Sequence, residues 1–405
     1  MDSVAKMGDE KDEQSQVVQP TPAQGSKLLL AMVILLHAFN HVIRGAMPVL
    51  YLDIMDEFNL GYFQLGFLQS VSQFASGFPQ MFMGALRRWF SGRTLMGLGN
   101  ILHSVFNMAA STVGGFHQFL ALNVMAGLGS STQHPVGSSI LTTNSDPSWR
   151  GRVFGLNLSI PMLASTFSPL VATWLMISIG WRSTMAIVAV PALFASVVLL
   201  LLVKESGDGS SRSRVFSMRS LMNALRNRNI LAVSALRSVM AFRMGIRAFI
   251  PLYLINALGM ATGLSSTLYS LMIFGGVVGP FFWGYLSERM DRRPLVIGIM
   301  AAQSALFYSL QLFEKVLILA PLLFLIGFLA QTVVMQSILA DSAEKEQLDH
   351  VFGFYYTLGF TLGSLSSIIF AYIVEILGFE YGFTYISAIT AICLIPALFL
   401  RDVRP

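Results

Sequence analysis

Four arginines stand inside long apolar stretches of the sequence, where a cation is costly to place. Arg44 lies in the first such stretch, and Arg237, Arg243 and Arg247 lie in the seventh. Each guanidinium costs about 2.5–3.5 kcal/mol at the centre of a membrane helix, so a water-filled cavity is the expected environment. The planar fork of arginine binds carboxylate or phosphate through two parallel hydrogen bonds. These arginines therefore predict a site for a small anion.

The acidic residues offer these arginines little compensation. The chain has 21 acidic residues, and none stands clearly near the middle of an apolar stretch, so a bound anion is the simplest counter-ion. The alternative is structural: the guanidiniums bond backbone carbonyls and the C-terminal ends of helices, and lock the helices together. Arg237 lies nearest the end of its stretch and is the residue for which this alternative is favoured, since its side chain can reach the interface.

Further polar residues share a helix face with Arg44. His37, Asn40, His41 and Arg44 follow the i, i+3, i+4, i+7 spacing of one face. His134 precedes a proline, so it either bonds a carbonyl freed by a kink or reaches the cavity and carries protons. The residues expected to contact the substrate are Arg44, Arg247, Arg243, Asn40, His37, His41, His134 and Tyr355.

The elements that must hold these residues are membrane helices. Of the 405 residues, 54% are hydrophobic and 12% are charged, about half the charged share of a soluble protein. Apolar stretches of roughly 20 residues, the length that crosses a ~30 Å hydrocarbon core, recur between short polar breaks. They fall at residues 27–54, 60–85, 94–114, 117–143, 151–178, 181–203, 229–257, 265–286, 294–312, 316–340, 350–376 and 380–400.

The basic residues predict the orientation of these helices. When the loops are numbered alternately, almost all lysines and arginines fall in one set, and the other set carries only Arg182 and Lys315. Positive charge collects on the cytoplasmic side of membrane proteins. We therefore expect a multi-pass protein of the cell (inner) membrane with both termini in the cytoplasm.

The two halves of the chain resemble each other. IRGAMPVLY begins at Ile43 and IRAFIPLYL at Ile246, an offset of 203. GALRRWFSGR begins at Gly84 and GYLSERMDRR at Gly284, an offset of 200. Inverted or parallel repeats of this kind place a substrate site between the halves, near the middle of the membrane. At an offset of 203, Arg44 and Arg247 are equivalent, and we expect them to converge on one site.

The longest polar stretch divides the chain at this repeat. The predicted organisation is a disordered cytoplasmic tail at 1–26, an N-terminal six-helix bundle at 27–203, a cytoplasmic linker at 204–228 and a C-terminal six-helix bundle at 229–405. Within the linker, apolar residues at helical spacing and separate arginines predict a basic helix lying along the membrane surface. The predicted fold class is all-α, an integral membrane protein with twelve transmembrane helices in two six-helix bundles.

The second-half loop carries a recognisable pattern: Gly284, Glu288, Arg289, Arg292 and Arg293. With the repeat, this pattern resembles the signature cytoplasmic loop of the major facilitator superfamily. The resemblance implies a loop that holds neighbouring helices in one conformation through charge pairs. In the first copy Gly84 and Arg93 remain, whereas Arg88 stands at the acidic position, which puts the first-half charge pair in doubt.

Two subgroups of that superfamily are also similar. The runs HAFN and GLGSSTQHPVGSS resemble the fosmidomycin-resistance branch, although His41 replaces its usual acidic residue. Paired cationic residues from opposite halves resemble the organophosphate/phosphate and oxalate/formate exchangers. The Gly-Pro signature of drug/proton antiporters does not occur in the fifth stretch.

These observations predict a secondary transporter that moves a small anion by alternating access, as an exchanger or a facilitator. The first alternative is a proton-coupled drug efflux pump of the fosmidomycin-resistance type, with His37, His41 or His134 as proton carrier. A non-transporting receptor is the second, and it would need a large partner domain or an extended tail. No enzyme, metal or cofactor motif is present in the sequence. The expected partners are a small anionic substrate, a counter-transported anion or proton, and the lipid bilayer, with no nucleic acid; the expected state is a monomer.

Overall fold

The computed structural model describes residues 24–146, 149–203, 218–329, 332–344 and 347–401. Within these ranges the regular structure is entirely helical. Seven of the described helices are long and apolar enough to span a membrane. The predicted tail lies largely outside the described residues, as does the linker from 204 to 217. The all-α membrane fold is confirmed, and the described helices are consistent with twelve spans.

The helices follow the predicted stretches closely. Their bounds are α1 Gln24–Phe58, α2 Tyr62–Gly77, α3 Met83–Leu86, α4 Gly92–Ala110, α5 Phe116–Ser130, α6 Gln133–Asn144, α7 Arg150–Leu202, α8 Met218–Ala224, α9 Arg228–Ala241, α10 Ile250–Leu252, α11 Thr262–Ser287, α12 Arg292–Ser309, α13 Val316–Phe328, α14 Thr332–Ser342, α15 Leu348–Leu377, α16 Phe379–Ile392 and α17 Leu394–Leu398. Short 3-10 segments cover Phe78–Phe82 and Met244–Phe249, and a π-helical segment covers Tyr253–Ala257.

The outward faces of these helices are apolar. Leu317 is 88% exposed, Ile177 71% and Phe194 70%. A soluble protein rarely leaves large apolar side chains this open over a broad surface. Lipid is the solvent for these faces.

The long helix α7 contains two spans that meet at Gly180. This glycine has φ 78° and ψ 164°, a backbone conformation that favours a residue without a Cβ. It stands between the fifth and sixth predicted stretches, where the sequence indicates a break.

A second interruption separates α5 from α6. α5 ends at Ser130 and α6 begins at Gln133, so the last backbone carbonyls of α5 lack the N–H partners of a continuous helix. Three hydroxyls donate to these carbonyls instead: Ser130 to Gly127 at 2.9 Å, Ser131 to Leu128 at 2.6 Å and Thr132 to Gly129 at 3.2 Å. Neighbouring hydroxyls are the usual remedy for freed carbonyls in a membrane.

The packing shows the internal repeat directly. A side chain on Gly127 would meet the backbone oxygen of Ser72, and a side chain on Gly327 would meet that of Met272. Both members of this contact are therefore related by an offset of 200. The same helices cross at the same points in the two halves of the chain.

The first and seventh stretches show the same offset. Ser168 donates to the carbonyl of Val42 at 2.5 Å, and Ser366 donates to that of Phe242 at 2.6 Å. Gly45 and Gly245 pack against these two serines. In the first and seventh stretches the packing therefore relates residues 200 apart, such as Val42 and Phe242. The sequence alignment of the arginines uses an offset of 203.

The two halves share a core on one side of the membrane only. The side where α1 ends at Phe58 is called the far side, and the side where α1 begins is called the terminal side. On the far side, one buried cluster combines residues of both halves, among them Leu50, Ile54, Phe249 and Phe370. On the terminal side, one cluster contains residues 29–203 alone and another contains residues 224–400 alone.

Candidate functional site

Arg44 lies near the middle of α1. Its side chain is exposed, although the neighbouring Ile43 and Gly45 are buried. An exposed residue between buried neighbours inside a bundle borders an internal space. Arg44 Nη2 donates to Ser76 Oγ at 2.5 Å, and Ser130 Oγ lies 3.1 Å from the same oxygen.

The space beside Arg44 is a cavity of about 240 Å³. Its wall is formed mainly by helices of the N-terminal half. The polar residues of this wall are Arg44, Tyr51, Gln69, Ser72, Gln73, Ser76, His103, Asn107, Asn123 and Ser130. From the C-terminal half, Met244 and Phe360 contribute apolar surface. No described residue of the lining is acidic.

The α4 wall was missed by the reasoning from sequence. Asn100, His103 and Asn107 share one face of α4, and the last two line the cavity. Polar residues repeated at helical spacing in a membrane helix are the signal that identifies such a face. Interhelical hydrogen bonding explains the same pattern equally well, so the sequence does not distinguish the two roles.

Arg247 does not line this cavity. Its side chain is also exposed between two buried residues, Ile246 and Ala248. Both Arg44 and Arg247 interact electrostatically with His41, so the two arginines face a common region. By the packing offset of 200, however, Arg247 corresponds to Met47. It therefore lies about one helical turn farther toward the far side than Arg44 does.

The other two arginines have partners within the C-terminal half. Arg243 donates from Nη1 to Gln303 Oε1, and its Cζ lies 5.9 Å from the ring centre of Phe307. Arg237 Cζ lies 5.1 Å from the ring centre of Tyr355. Tyr355 is 1% exposed and belongs to the terminal-side core of that half. Arg237, Arg243 and Tyr355 are thus not brought to the cavity wall.

The three predicted histidines form a cluster. The ring of His37 lies 4.9 Å from that of His41 and 5.1 Å from that of His134, centre to centre. His37 Nδ1 contacts Asn157 Oδ1 at 3.1 Å, and His41 Nδ1 contacts Ser165 Oγ at 2.8 Å. The cluster lies beside the cavity but does not form its wall.

Asn40 belongs to a buried network instead of the cavity wall. Its Nδ2 donates to Asn100 Oδ1 at 2.5 Å and approaches Gln133 Oε1 at 3.4 Å. Asn100 Nδ2 reaches the same Gln133 oxygen at 3.3 Å. The network joins α1, α4 and α6, and supports the helices that carry Arg44 and His103.

A family model described as the Major Facilitator Superfamily matches residues 30–328 and 238–405. The chain belongs to this superfamily. It is therefore a multi-pass membrane transporter and not an enzyme.

Several curated transporters are similar to this chain. A probable L-galactonate transporter of Escherichia coli is 23% identical over 276 residues, which cover 64% of this chain and 61% of that protein, less than two thirds of its length. The cis,cis-muconate transport protein of Acinetobacter baylyi is 22% identical over 372 residues, 86% of this chain and 88% of that one. A probable sulfoacetate transporter of Cupriavidus necator is 21% identical over 403 residues, 92% and 93% of the two chains.

Solved structures show the same fold. The nucleoside transporter NupG aligns with a TM-score of 0.76 at 11% identity, over 92% of this chain and 100% of that one. A bacterial homologue of the human lysosomal transporter Spinster, solved in an inward-facing and occupied conformation, aligns with a TM-score of 0.72 at 17% identity, over 94% and 97%.

The signature loop of this major facilitator protein contains an ion pair in its second-half copy. Arg292 is 5% exposed and its Nη1 pairs with Asp341 Oδ2. Arg293 donates to the carbonyl of Leu398 at 3.1 Å, whereas Glu288 is exposed. Arg289 lies with its Cζ 4.1 Å from the ring centre of Tyr285.

The first-half copy of the loop is built differently. Gly92 stands where the offset of 200 places Arg292, and the guanidinium of Arg87 occupies the space that a side chain on Gly92 would need. Arg93 donates to the carbonyl of Val203 at 2.6 Å. Gly84 is half-buried and follows the 3-10 segment, in the same relation to its loop as Gly284.

Polar contacts also join the halves of the transporter on the far side. The backbone N–H of Phe63 donates to Glu375 Oε2 at 3.0 Å. Asn256 Nδ2 donates to the hydroxyl of Tyr62 at 2.9 Å, and the Tyr62 ring lies 5.3 Å from that of Phe379. These contacts and the shared core hold the far side together.

Proposed function

We propose that this protein is a secondary transporter of small organic anions that works by alternating access, as an exchanger or a facilitator. Carboxylate, phosphate and phosphonate groups are the chemistries that its cation suits. The observation that carries the proposal is the position of Arg44 in an internal cavity whose described lining contains no acidic residue.

The physical argument starts from the charge. A guanidinium in a low-dielectric interior is costly unless an opposite charge or several acceptors compensate it. In the described structure the hydroxyl of Ser76 accepts one of its hydrogen bonds. An anion entering the cavity brings the missing charge and accepts further N–H groups, and such charge-assisted bonds are stronger than neutral ones.

The arrangement of cores supports alternating access. The halves share buried residues on the far side and have separate cores on the terminal side. If the two halves rock about the cavity, they separate on the far side and come together on the terminal side. The cavity then opens to the far side. Because Arg247 lies one turn beyond Arg44, we propose that it meets the anion as the halves rearrange.

The orientation is part of the same proposal. The bias of basic residues toward one set of loops favours a cytoplasmic terminal side and an inner-membrane location. The described conformation is then open toward the cytoplasm. The relatives named for L-galactonate, cis,cis-muconate and sulfoacetate support an organic anion as cargo, since all three compounds are acid anions.

A second candidate is proton-coupled efflux, which the cluster of His37, His41 and His134 favours because histidine changes charge near neutral pH. The cavity volume argues against a large drug, since pockets for drug-sized ligands measure about 300–1,000 Å³. Transport into liposomes with and without an imposed pH gradient separates the candidates. An anion exchanger runs on a counter-anion gradient alone, whereas the efflux pump requires the proton gradient.

A melting screen of the purified protein tests the proposal. Mono- and dicarboxylates, phosphate and phosphonates are added singly, each beside a neutral amide or alcohol of the same skeleton. A ligand at 100 times its Kd stabilises the folded state by about 2.7 kcal/mol. We expect an anion, and not its neutral analogue, to raise the melting temperature.

Two variants make the screen specific. Arg44→Gln should remove the response, and Arg88→Gln, at an exposed loop position, should keep it. A panel in which no anion stabilises the protein, or an Arg44→Gln protein that responds as the wild type does, would contradict the proposal.

A further inference from the structure

We propose that the solute is a polyhydroxylated monocarboxylate, an acid of the sugar-acid type, whose hydroxyl groups are bound by the N-terminal half. This inference rests on the proposed function, because Arg44 is taken as the group that binds the carboxylate. It adds the chemistry that the rest of the wall selects.

The wall around Arg44 is crowded with neutral hydrogen-bonding groups. Amide side chains come from α2, α4 and α5, for example Gln73, Asn107 and Asn123, and hydroxyls come from α1, α2 and α5. Such groups contribute little to binding an apolar chain, because their desolvation on contact with it is uncompensated. They suit a solute that carries donors and acceptors along its whole length.

Three atoms of this wall have no hydrogen-bond partner in the described structure: Ser72 Oγ, Gln73 Nε2 and His103 Nε2. Buried polar atoms are usually paired. These three have almost no contact with solvent in the described conformation, so a solute would satisfy them as their side chains turn toward the cavity. A hydroxyl group donates one bond and accepts others, so it can serve either kind of atom.

His103 indicates that a hydroxyl donor is needed. Its Nδ1 lies 3.0 Å from the carbonyl oxygen of Ala126, so Nδ1 must carry the proton. In the neutral ring Nε2 is then an acceptor. An ionised carboxylate or phosphate oxygen cannot donate a hydrogen bond to this nitrogen, whereas a hydroxyl group of the solute can.

The charge and the size of the cavity narrow the class further. Arg44 is the sole cation among the described lining residues, so a second carboxylate on the solute would meet no matching charge there. The cavity volume of about 240 Å³ lies below the roughly 300–1,000 Å³ of pockets for drug-sized ligands. A gluconate-like acid has suitable dimensions, and a multi-ring drug does not.

The C-terminal half adds apolar surface at the remaining side. Met244 and Phe360 complete the lining, and neither offers a hydrogen bond to a solute hydroxyl. The solute hydroxyls are therefore expected to face α2, α4 and α5.

Calorimetric affinities of four matched solutes test the inference on the full-length protein. Gluconate carries both features, hexanoate keeps the carboxylate without hydroxyls, adipate carries a second carboxylate, and sorbitol keeps the hydroxyls without charge. Each neutral hydrogen bond contributes about two- to tenfold in affinity. We expect gluconate to bind at least about tenfold more tightly than hexanoate, adipate or sorbitol.

Variants test whether the cavity wall of the N-terminal half causes the preference for gluconate over hexanoate. Ser72→Ala and Gln73→Leu should each weaken gluconate by about two- to tenfold while leaving hexanoate unchanged. Gln311→Leu is the matched control, because Gln311 is half-buried and pairs with Thr384 away from the cavity. Ser72→Ala removes a single oxygen atom, which keeps the test valid if the larger change impairs folding.

The outcomes distinguish the inference from the proposed function. Hexanoate or adipate binding as tightly as gluconate, or Ser72→Ala and Gln73→Leu weakening hexanoate equally, overturns the inference and leaves the anion site in place. If no anion binds at all, or if sorbitol matches gluconate, the role of Arg44 fails and the proposed function fails with it.

Discussion

The two halves of the chain repeat one architecture but line the cavity differently. At the packing offset of 200, His103 corresponds to Gln303 and Asn107 to Phe307. Gln73 corresponds to an isoleucine, Ser76 to a glycine and Arg44 to a methionine, Met244. The N-terminal wall is polar and cationic, whereas its counterpart is apolar or aromatic at these positions except for Gln303. Helix crossings are thus common to both halves, while the polar groups of the cavity wall are concentrated in one.

The backbone differs in the same place. Helix α1 runs without interruption past Arg44, whereas the corresponding part of the second half passes through 3-10 and π-helical segments between Met244 and Ala257. Such segments often mark functional hinges. We therefore propose that the first half recognises the solute and that the second half adjusts its packing.

The largest expected effect comes from replacing a residue of the N-terminal cavity wall with the residue at the equivalent position of the C-terminal half. Asn107→Phe places a ring, as at position 307, into the 240 Å³ cavity. We expect solute binding and transport to be abolished, because the ring fills the space beside Arg44. Calorimetry and liposome uptake measure this loss, and a melting curve checks that the protein still folds.

The reverse substitution is the control for that experiment. Phe307 is 4% exposed, so Phe307→Asn should lower the free energy of unfolding by about 3 kcal/mol or more, as loss of a buried ring does. Affinity should change little. If Phe307→Asn removes binding while Asn107→Phe preserves it, the assignment of recognition to the first half is wrong.

The next effect separates Arg44 from Arg247. Lysine keeps the charge but cannot form the bidentate contact, and loss of a charged hydrogen bond costs about 1.5–3 kcal/mol, or roughly 10- to 150-fold in affinity. Arg44→Lys should weaken anion binding by that factor. Arg247→Lys should weaken it by less than about fivefold, because Arg247 does not line the cavity. Equal losses would show that the arginines act as a symmetric pair.

A smaller effect compares the two copies of the signature loop. Asp341→Asn leaves the nearly buried Arg292 without its partner, and we expect a loss of about 1–2 kcal/mol in unfolding free energy, reduced by solvent at the exposed aspartate. Glu288→Gln should change stability within about 0.5 kcal/mol. Denaturant melts of both variants measure the difference. A greater loss for Glu288→Gln would show that Glu288, and not Asp341, is the stabilising partner of Arg292.

The smallest effect concerns closure of the far side. Glu375 accepts a hydrogen bond from the Phe63 backbone at an exposed position, so Glu375→Gln should shift the conformational equilibrium by only about two- to threefold. Distances between spin labels on opposite halves of the far side report this shift. Glu380→Gln is the neighbouring control. A shift as large for the control would mean that general charge, and not this contact, closes the far side.

The sequence predicted the features that follow from the cost of placing polar groups in lipid. The place of Arg44 beside a cavity was predicted because a guanidinium in an apolar stretch is costly. The break at Gly180 was predicted because the apolar pattern stops there. His103 and Asn107 were missed, since polar residues at helical spacing also join helices. The register of Arg247 depends on an irregular backbone segment, Met244–Phe249, which a sequence alignment does not show. Tyr355 packs in the terminal-side core, whereas Phe360 of the same helix lines the cavity. The sequence alone does not distinguish these two roles among the aromatic residues of α15.

The most direct test of the account is a structure of the protein bound to the anion that gives the largest shift in melting temperature. We expect the anion in the cavity of the N-terminal half, with its charged oxygens about 2.7–2.9 Å from the Arg44 guanidinium and its remaining polar groups on α2 and α4. An anion held by Arg243 or Arg237, with Arg44 still bonded only to Ser76, would contradict the account.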